Sequence, residues 1–145
     1  CIKGALINGA ASSMSLRDLC VLDLACGKCG DWAKWMVVAR SKGISRYVGV
    51  DIAQGSLVDA VKRLAEGREN SAFPPSIRLG LVNLGAQSME ETPTVVWQSR
   101  GAASETFGDW IEAPALGPTD RGFHLASMQF ALHYMFQTKE RAMHF

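Results

Sequence analysis

Short apolar runs alternate with amphipathic stretches along the first half of this chain, and that alternation is the strongest limit on how it can fold. Residues 20–25 are apolar apart from Asp23 and short enough for a buried strand. After Asp31, apolar residues fall at Trp32, Trp35, Met36 and Ala39, which is helical spacing. Lys42 and Gly43 end that helix, because glycine tolerates a left-handed cap. Residues 46–52 read as a second strand, and Leu57, Ala60, Val61 and Leu64 as a second amphipathic helix that stops near Gly67. A third strand is expected over 77–83, after the Pro74-Pro75 turn. Strands that alternate with helices through short connections must run parallel, so the fold class is α/β.

The flanks are less regular. Residues 2–7 read as the end of a helix, followed by a small-residue loop over 8–15. Between about 87 and 122 the periodicity is lost while Gly, Pro, Ser and Thr accumulate, which predicts an irregular insertion. Residues 123–130 read as a fourth strand, with a last helix after the capping residue Thr138. The chain opens on Cys1 and stops at Phe145 within that helix, so residues 1–145 are expected to be a partial domain, truncated after the fourth strand.

Composition narrows the partners. At 48% hydrophobic, the chain can bury a real core. Lys and Arg total 15 against 14 Asp and Glu, which argues against a broad phosphate-neutralising surface but not against a single nucleotide in a pocket. No apolar run approaches a membrane span, so no membrane partner is expected. Four cysteines, three of them within residues 20–29, do not form a secreted disulfide framework and fit a reducing compartment.

The chemistry begins at Asp23-Leu24-Ala25-Cys26-Gly27-Lys28-Cys29-Gly30, where the first strand turns into the first helix. In an open parallel sheet, ligands bind beyond the carboxyl ends of the strands, and a helix N-terminus there supplies N–H groups. Asp51 ends the second strand, where an acid can accept hydrogen bonds from both ribose hydroxyls. The plainer alternative is that Asp51 caps the following helix. At this level NAD and S-adenosylmethionine fit equally well.

Four ordered segments separate them. Residues 21–31 with Lys34-Trp35 closely resemble the VLDLGCGKGGDLLKW signature of mRNA cap guanine-N7 methyltransferases. Residues 2–7 are similar to the end of that family's NNWIKSVLI segment, Val50-Asp51-Ile52-Ala53 to its second-strand DIA, and residues 127–134 to its SCQFxxHY. The resemblance implies a Rossmann-like fold binding S-adenosylmethionine, with Lys3, Ala25, Asp51, Gln129 and Tyr134 around the cofactor. Asn83 stands nearest to the family's third-strand aspartate at the adenine. Lys28, Lys34, Arg63 and His133 would face the cap guanosine and its polyanionic bridge. The implied activity is methyl transfer to guanine N7 of 5′-capped RNA, by positioning rather than by a general base, so no residue is nominated as catalytic and no metal is required. An activating protein partner or capping enzymes, and a nuclear location, follow from the same resemblance.

Three departures stand out: Ala25 and Cys29 replace glycines of the family pattern, and His124 replaces an acid that commonly opens the fourth strand. Ala25 would crowd the methionine part of the cofactor, and the piece alone is expected to be inactive or nearly so. Three rival readings remain, one of them a non-catalytic binding module in which Ala25 marks a lost site. Cys26-Gly27-Lys28-Cys29 is a Cys-x-x-Cys at a helix N-terminus, a geometry that serves thiol redox chemistry. A methyltransferase of another substrate would share the fold and Asp51 but not the cap residues.

Overall fold

The computed structural model describes residues 2–87, 94–99, 110–113 and 122–144. In chain order these form α1 (Ile2–Ser12), β1 (Leu19–Leu24), α2 (Trp32–Lys42), β2 (Ile44–Asp51), α3 (Gln54–Gly67), β3 (Ser76–Leu81), β4 (Thr94–Ser99), β5 (Trp110–Ala113), β6 (Leu125–Met128), α4 (Leu132–Met135) and α5 (Lys139–His144). One sheet contains all six strands in the order β5-β4-β3-β2-β1-β6. β6, β1, β2 and β3 run parallel, and β4 and β5 extend the β3 edge antiparallel. The sheet is therefore mostly parallel and Rossmann-like. From β1 the chain moves through β2 to β3 on one side, while β6 lies on the other, which makes the β1–β6 boundary a topological switch point.

Two of the expectations change. The first helix does not end at Ile7 but continues to Ser12, because Ile7 and Ala11, four residues apart, both bury on the same stripe. The span 87–122 is not wholly irregular: residues 94–99 and 110–113 are strands, and the rest of it lies outside the described residues. Val96 and Trp97 are buried where β4 pairs with β3. That run is short and flanked by polar residues, so its alternation is hard to recognise without the partner strand. The run expected as a fourth strand is β6, the last strand in sequence, which lies at the edge of the sheet beside β1. Thr138 caps α5 as expected, its hydroxyl accepting the Arg141 N–H at 3.2 Å.

The parallel strands separate two apolar layers by their two-residue period. Tyr47, Ile77 and Leu79 face the helices, where they meet Trp35, Leu57 and Leu64. Val48, Val50, Val82 and Val96 form a smaller cluster on the opposite face. Trp32 stacks edge-on against Tyr47 at 5.2 Å between ring centres and against Phe73 at 5.6 Å, which fixes the start of α2 over the sheet. α1 packs on α2 and β6.

Gly43 sets the return from α2 into β2. Its φ is 80°, its N–H donates to the Ala39 carbonyl at 2.9 Å, and a Cβ there would collide with the Asp18 carboxylate. Gly43→Ala is expected to lower unfolding stability by about 1–3 kcal/mol, measured by denaturant titration, since it combines a positive φ with a clash.

Candidate functional site

The carboxyl ends of β1, β2 and β3 open into a cleft of about 420 Å³, lined by Ala25, Asp51, Asn83, Tyr134, Met135 and Arg141, with Ile52, Val82, Leu84 and Ala131 completing its largely apolar walls. Each strand contributes the residue at or just past its end, because the hydrogen-bonded ladder stops there and the backbone turns away. Ala25 takes a φ of 54° at the end of β1, and Gly27 (55°) and Cys29 (52°) repeat that left-handed geometry through the turn. The turn is thus wound by alternate positive-φ residues, and two of the three are not glycine.

Asp51 ties the turn to β2. Its Oδ2 accepts the Gly27 N–H at 2.8 Å, and its Oδ1 accepts the Ala53 N–H at 2.9 Å. It does not cap α3, whose N-cap position is Ala53. Two backbone bonds leave lone-pair capacity on both carboxylate oxygens, since each can accept about two hydrogen bonds. A nucleoside ribose laid across the cleft would find that capacity facing it. Asn83 lies in the wall after β3; its Oδ1 accepts the Gly85 N–H at 3.2 Å, so the amide is oriented with its NH₂ as the remaining group.

Of the six residues expected at the cofactor, the cleft brings together Ala25, Asp51, Asn83 and Tyr134. Lys3 and Gln129 are not among its lining residues. The Lys3 ammonium pairs with Asp31 at 3.2 Å and lies 4.9 Å over the Phe130 ring. Gln129 donates to the Ser127 hydroxyl at 2.8 Å and borders a separate groove between α1 and β6. The four residues expected at the cap are dispersed. Lys28 and Arg63 share a depression with Asp59, Lys62 and Glu66, and Lys28 pairs with Asp59 at 2.8 Å. Lys34 pairs with Asp31, and the exposed His133 ring lies 4.0 Å from that of Tyr134.

Three residues that matter here are not singled out by the sequence pattern. Asp31 holds Lys3 and Lys34 together: burial pushes its carboxyl up, but hydrogen bonds and charge from Lys34 and Lys3 outweigh that and hold it below the ordinary range. Arg141 enters the cleft from α5, which no local motif announces. Asp23 is buried beneath the turn, its Oδ2 accepting the Tyr47 hydroxyl at 2.6 Å and the Trp35 indole N–H at 3.1 Å. Its place inside an otherwise apolar strand is the signal that was present.

The Cys-x-x-Cys pair does not have the setting of a thiol redox centre. A hydrogen bond with Cys29 and burial push the Cys26 thiol well up, and the Cys29, Asp23 and Asp51 charges add to the shift. Cys29 is fully buried, its sulfur 3.7 Å from the Tyr47 hydroxyl. Reactive cysteines need the opposite, an accessible thiolate. Among the described residues no three metal-ligating side chains come together, and no helix is long and apolar enough to cross a membrane.

Ala25 offers a direct test of the strained turn. A non-glycine residue held left-handed costs about 1–2 kcal/mol, partly offset in the comparison by glycine's extra unfolded-state freedom. Ala25→Gly is expected to raise stability by about 1 kcal/mol, read as a higher denaturation midpoint at unchanged slope.

A mostly parallel sheet, a wound turn after β1 and an acid at the end of β2 are the features of a Rossmann-like α/β domain. The profile of the mRNA (guanine-N(7))-methyltransferase domain matches residues 1–145. The mRNA cap guanine-N(7) methyltransferase of Schizosaccharomyces pombe is 31% identical over 140 residues, covering 97% of this chain and 30% of that protein. The Saccharomyces cerevisiae protein of the same name is 34% identical over 122 residues, covering 84% and 22%. The Oryza sativa mRNA cap guanine-N(7) methyltransferase 1 is 34% identical over 128 residues, covering 85% and 27%. The chain belongs to the mRNA (guanine-N(7))-methyltransferase domain family, and it spans less than a third of the length of these relatives.

Proposed function

We propose that this chain forms the S-adenosylmethionine-binding part of an mRNA cap guanine-N7 methyltransferase. The observation that carries the reading is the single cleft that joins Ala25, Asp51, Asn83 and Tyr134 from four separated segments of the chain. The residues suit a nucleoside: Asp51 has acceptor capacity for two ribose hydroxyls, and Val82, Leu84 and Met135 provide an apolar slot for a flat base. S-adenosylmethionine, when bound, supplies an already activated methyl group on a sulfonium.

The protein's share of the chemistry is placement. Guanine N7 carries a free lone pair, so no side chain has to remove a proton. Holding two reactants in line contributes up to about 7–11 kcal/mol, which makes orientation and water exclusion the functions of the cleft walls. Lys28 and Arg63, at one depression, are the pair best placed to receive a triphosphate bridge, as Lys28's present partner Asp59 is exposed and easily exchanged. Capped RNA is the proposed partner, with capping enzymes or an activating protein in a nuclear setting.

Calorimetry of the chain with S-adenosylmethionine and then with the cap dinucleotide GpppG tests both halves. Cofactor binding is expected, together with cap binding that weakens about tenfold in Arg63→Ala and falls with added salt. A folded chain that binds the cofactor but handles GpppG and GpppG-free buffer alike would remove the cap assignment and leave a methyltransferase of another substrate.

A further inference from the structure

Arg141 has no role in the family signature, yet its side chain forms one end of the cleft. Its Nη1 donates to the Gln137 side-chain oxygen at 2.9 Å and to the Tyr134 carbonyl at 3.4 Å, which ties it to the α4 side. The rest of the guanidinium lies against the turn after β3. A Cβ on Gly85 would stand 2.8 Å from its Nε and 3.3 Å from its Cζ and Nη2, so the approach depends on Gly85 having no side chain. Arg141 therefore bridges the two walls. Among the described residues no carboxylate pairs with it, and its Nε and Nη2 have no protein acceptor.

Position along the sheet says which part of a nucleoside would meet it. The wound turn follows β1, Asp51 ends β2, and Asn83 and Gly85 follow β3, in that spatial order. Neighbouring strands are about 4.8 Å apart. A ribose on Asp51 thus puts the base about one strand spacing further, beside residues 82–85 and Arg141. Asn83 shows its NH₂ there, because its oxygen is taken by the Gly85 N–H. Both polar groups at the base end are donors, and a purine answers donors with its ring nitrogens. An anion is the poorer match, since the same cleft carries the Asp51 carboxylate and is otherwise mostly apolar.

We infer that Arg141 is a base-recognition residue, its guanidinium donating to a ring nitrogen of the purine whose ribose Asp51 holds. This rests on the cofactor reading above. The test is calorimetric binding of S-adenosylhomocysteine and its 1-deaza, 3-deaza and 7-deaza analogues to wild type, Arg141→Ala and Gly85→Ala, each shown to be folded by circular dichroism. Wild type is expected to lose about tenfold or more toward one analogue, as for a lost charge-assisted hydrogen bond. Arg141→Ala is expected to lose the same factor toward the parent compound and nothing further toward that analogue. Gly85→Ala, which displaces the guanidinium without removing it, is expected to lose selectivity likewise. Parent binding unchanged in Arg141→Ala, or losses that multiply, would overturn the proposal. Absence of parent binding by folded wild type would overturn the cofactor reading itself, and is told apart by that.

Discussion

Asp51→Ala is expected to weaken S-adenosylmethionine binding by roughly a hundredfold or more, measured by isothermal titration calorimetry. A hydrogen bond to a charged group contributes about 1.5–3 kcal/mol, and a ribose offers two hydroxyls to this carboxylate. The same substitution strips the Gly27 and Ala53 N–H groups of their acceptor, so the turn after β1 loses its tie to β2. Stability should fall too, by about 1–3 kcal/mol for an unsatisfied part-buried donor. Asp51→Asn is the milder change. It keeps the shape of the side chain and one acceptor oxygen but sets an NH₂ against either the Gly27 or the Ala53 N–H, so it should lose part of the stability and bind at an intermediate affinity. Wild-type affinity in a folded Asp51→Ala protein would mean that the cleft does not take a ribose.

The second large effect concerns Asp23 and pH. Burial raises its carboxyl from 3.8 to about 6, against the lowering hydrogen bonds from Tyr47 and Trp35. In the window between those values the folded chain holds a proton that the unfolded chain has released. Its contribution to stability therefore falls as pH rises from about 4 to about 6, by about 3 kcal/mol at roughly 1.4 kcal/mol per pH unit, and stays lost above. Asp23→Asn keeps an oxygen for the Tyr47 hydroxyl and the Trp35 indole but never ionises. The variant should match wild type near pH 4 and exceed it by about 3 kcal/mol at pH 7, in urea titrations across that range. The difference between the two proteins isolates Asp23 from Asp31, whose depressed carboxyl acts in the opposite sense. Parallel pH profiles for both would show that Asp23 titrates normally.

Tolerating a buried carboxylate under the turn after β1 has a structural counterpart. Asp23 holds Tyr47 and Trp35, and Tyr47 in turn touches Cys29 inside the turn. The turn that carries Ala25 is thus seated on a small polar cluster within the aromatic core.

The parts of this protein that its sequence determines alone are local in origin. The helix over Gln54–Gly67 follows from a 3.6-residue period, the strand ends near Ala25 and Asp51 from apolar runs stopped by polar residues, and the Thr138 cap from a short-range hydrogen bond. The four segments that mark the family are also contiguous strings. Tertiary structure decided what depends on partners distant in sequence. β4 is a strand because β3 offers a free edge to Val96 and Trp97. Lys3 and Lys34 meet at Asp31 because α1 packs on α2, and Gln129, just past the end of β6, borders the groove between α1 and β6 rather than the cleft. Arg141 reaches the cleft only because the turn at Gly85, more than fifty residues earlier, leaves room for it. Period and capping act over one or two turns of chain, whereas a cleft is assembled by strand order, which no local pattern encodes.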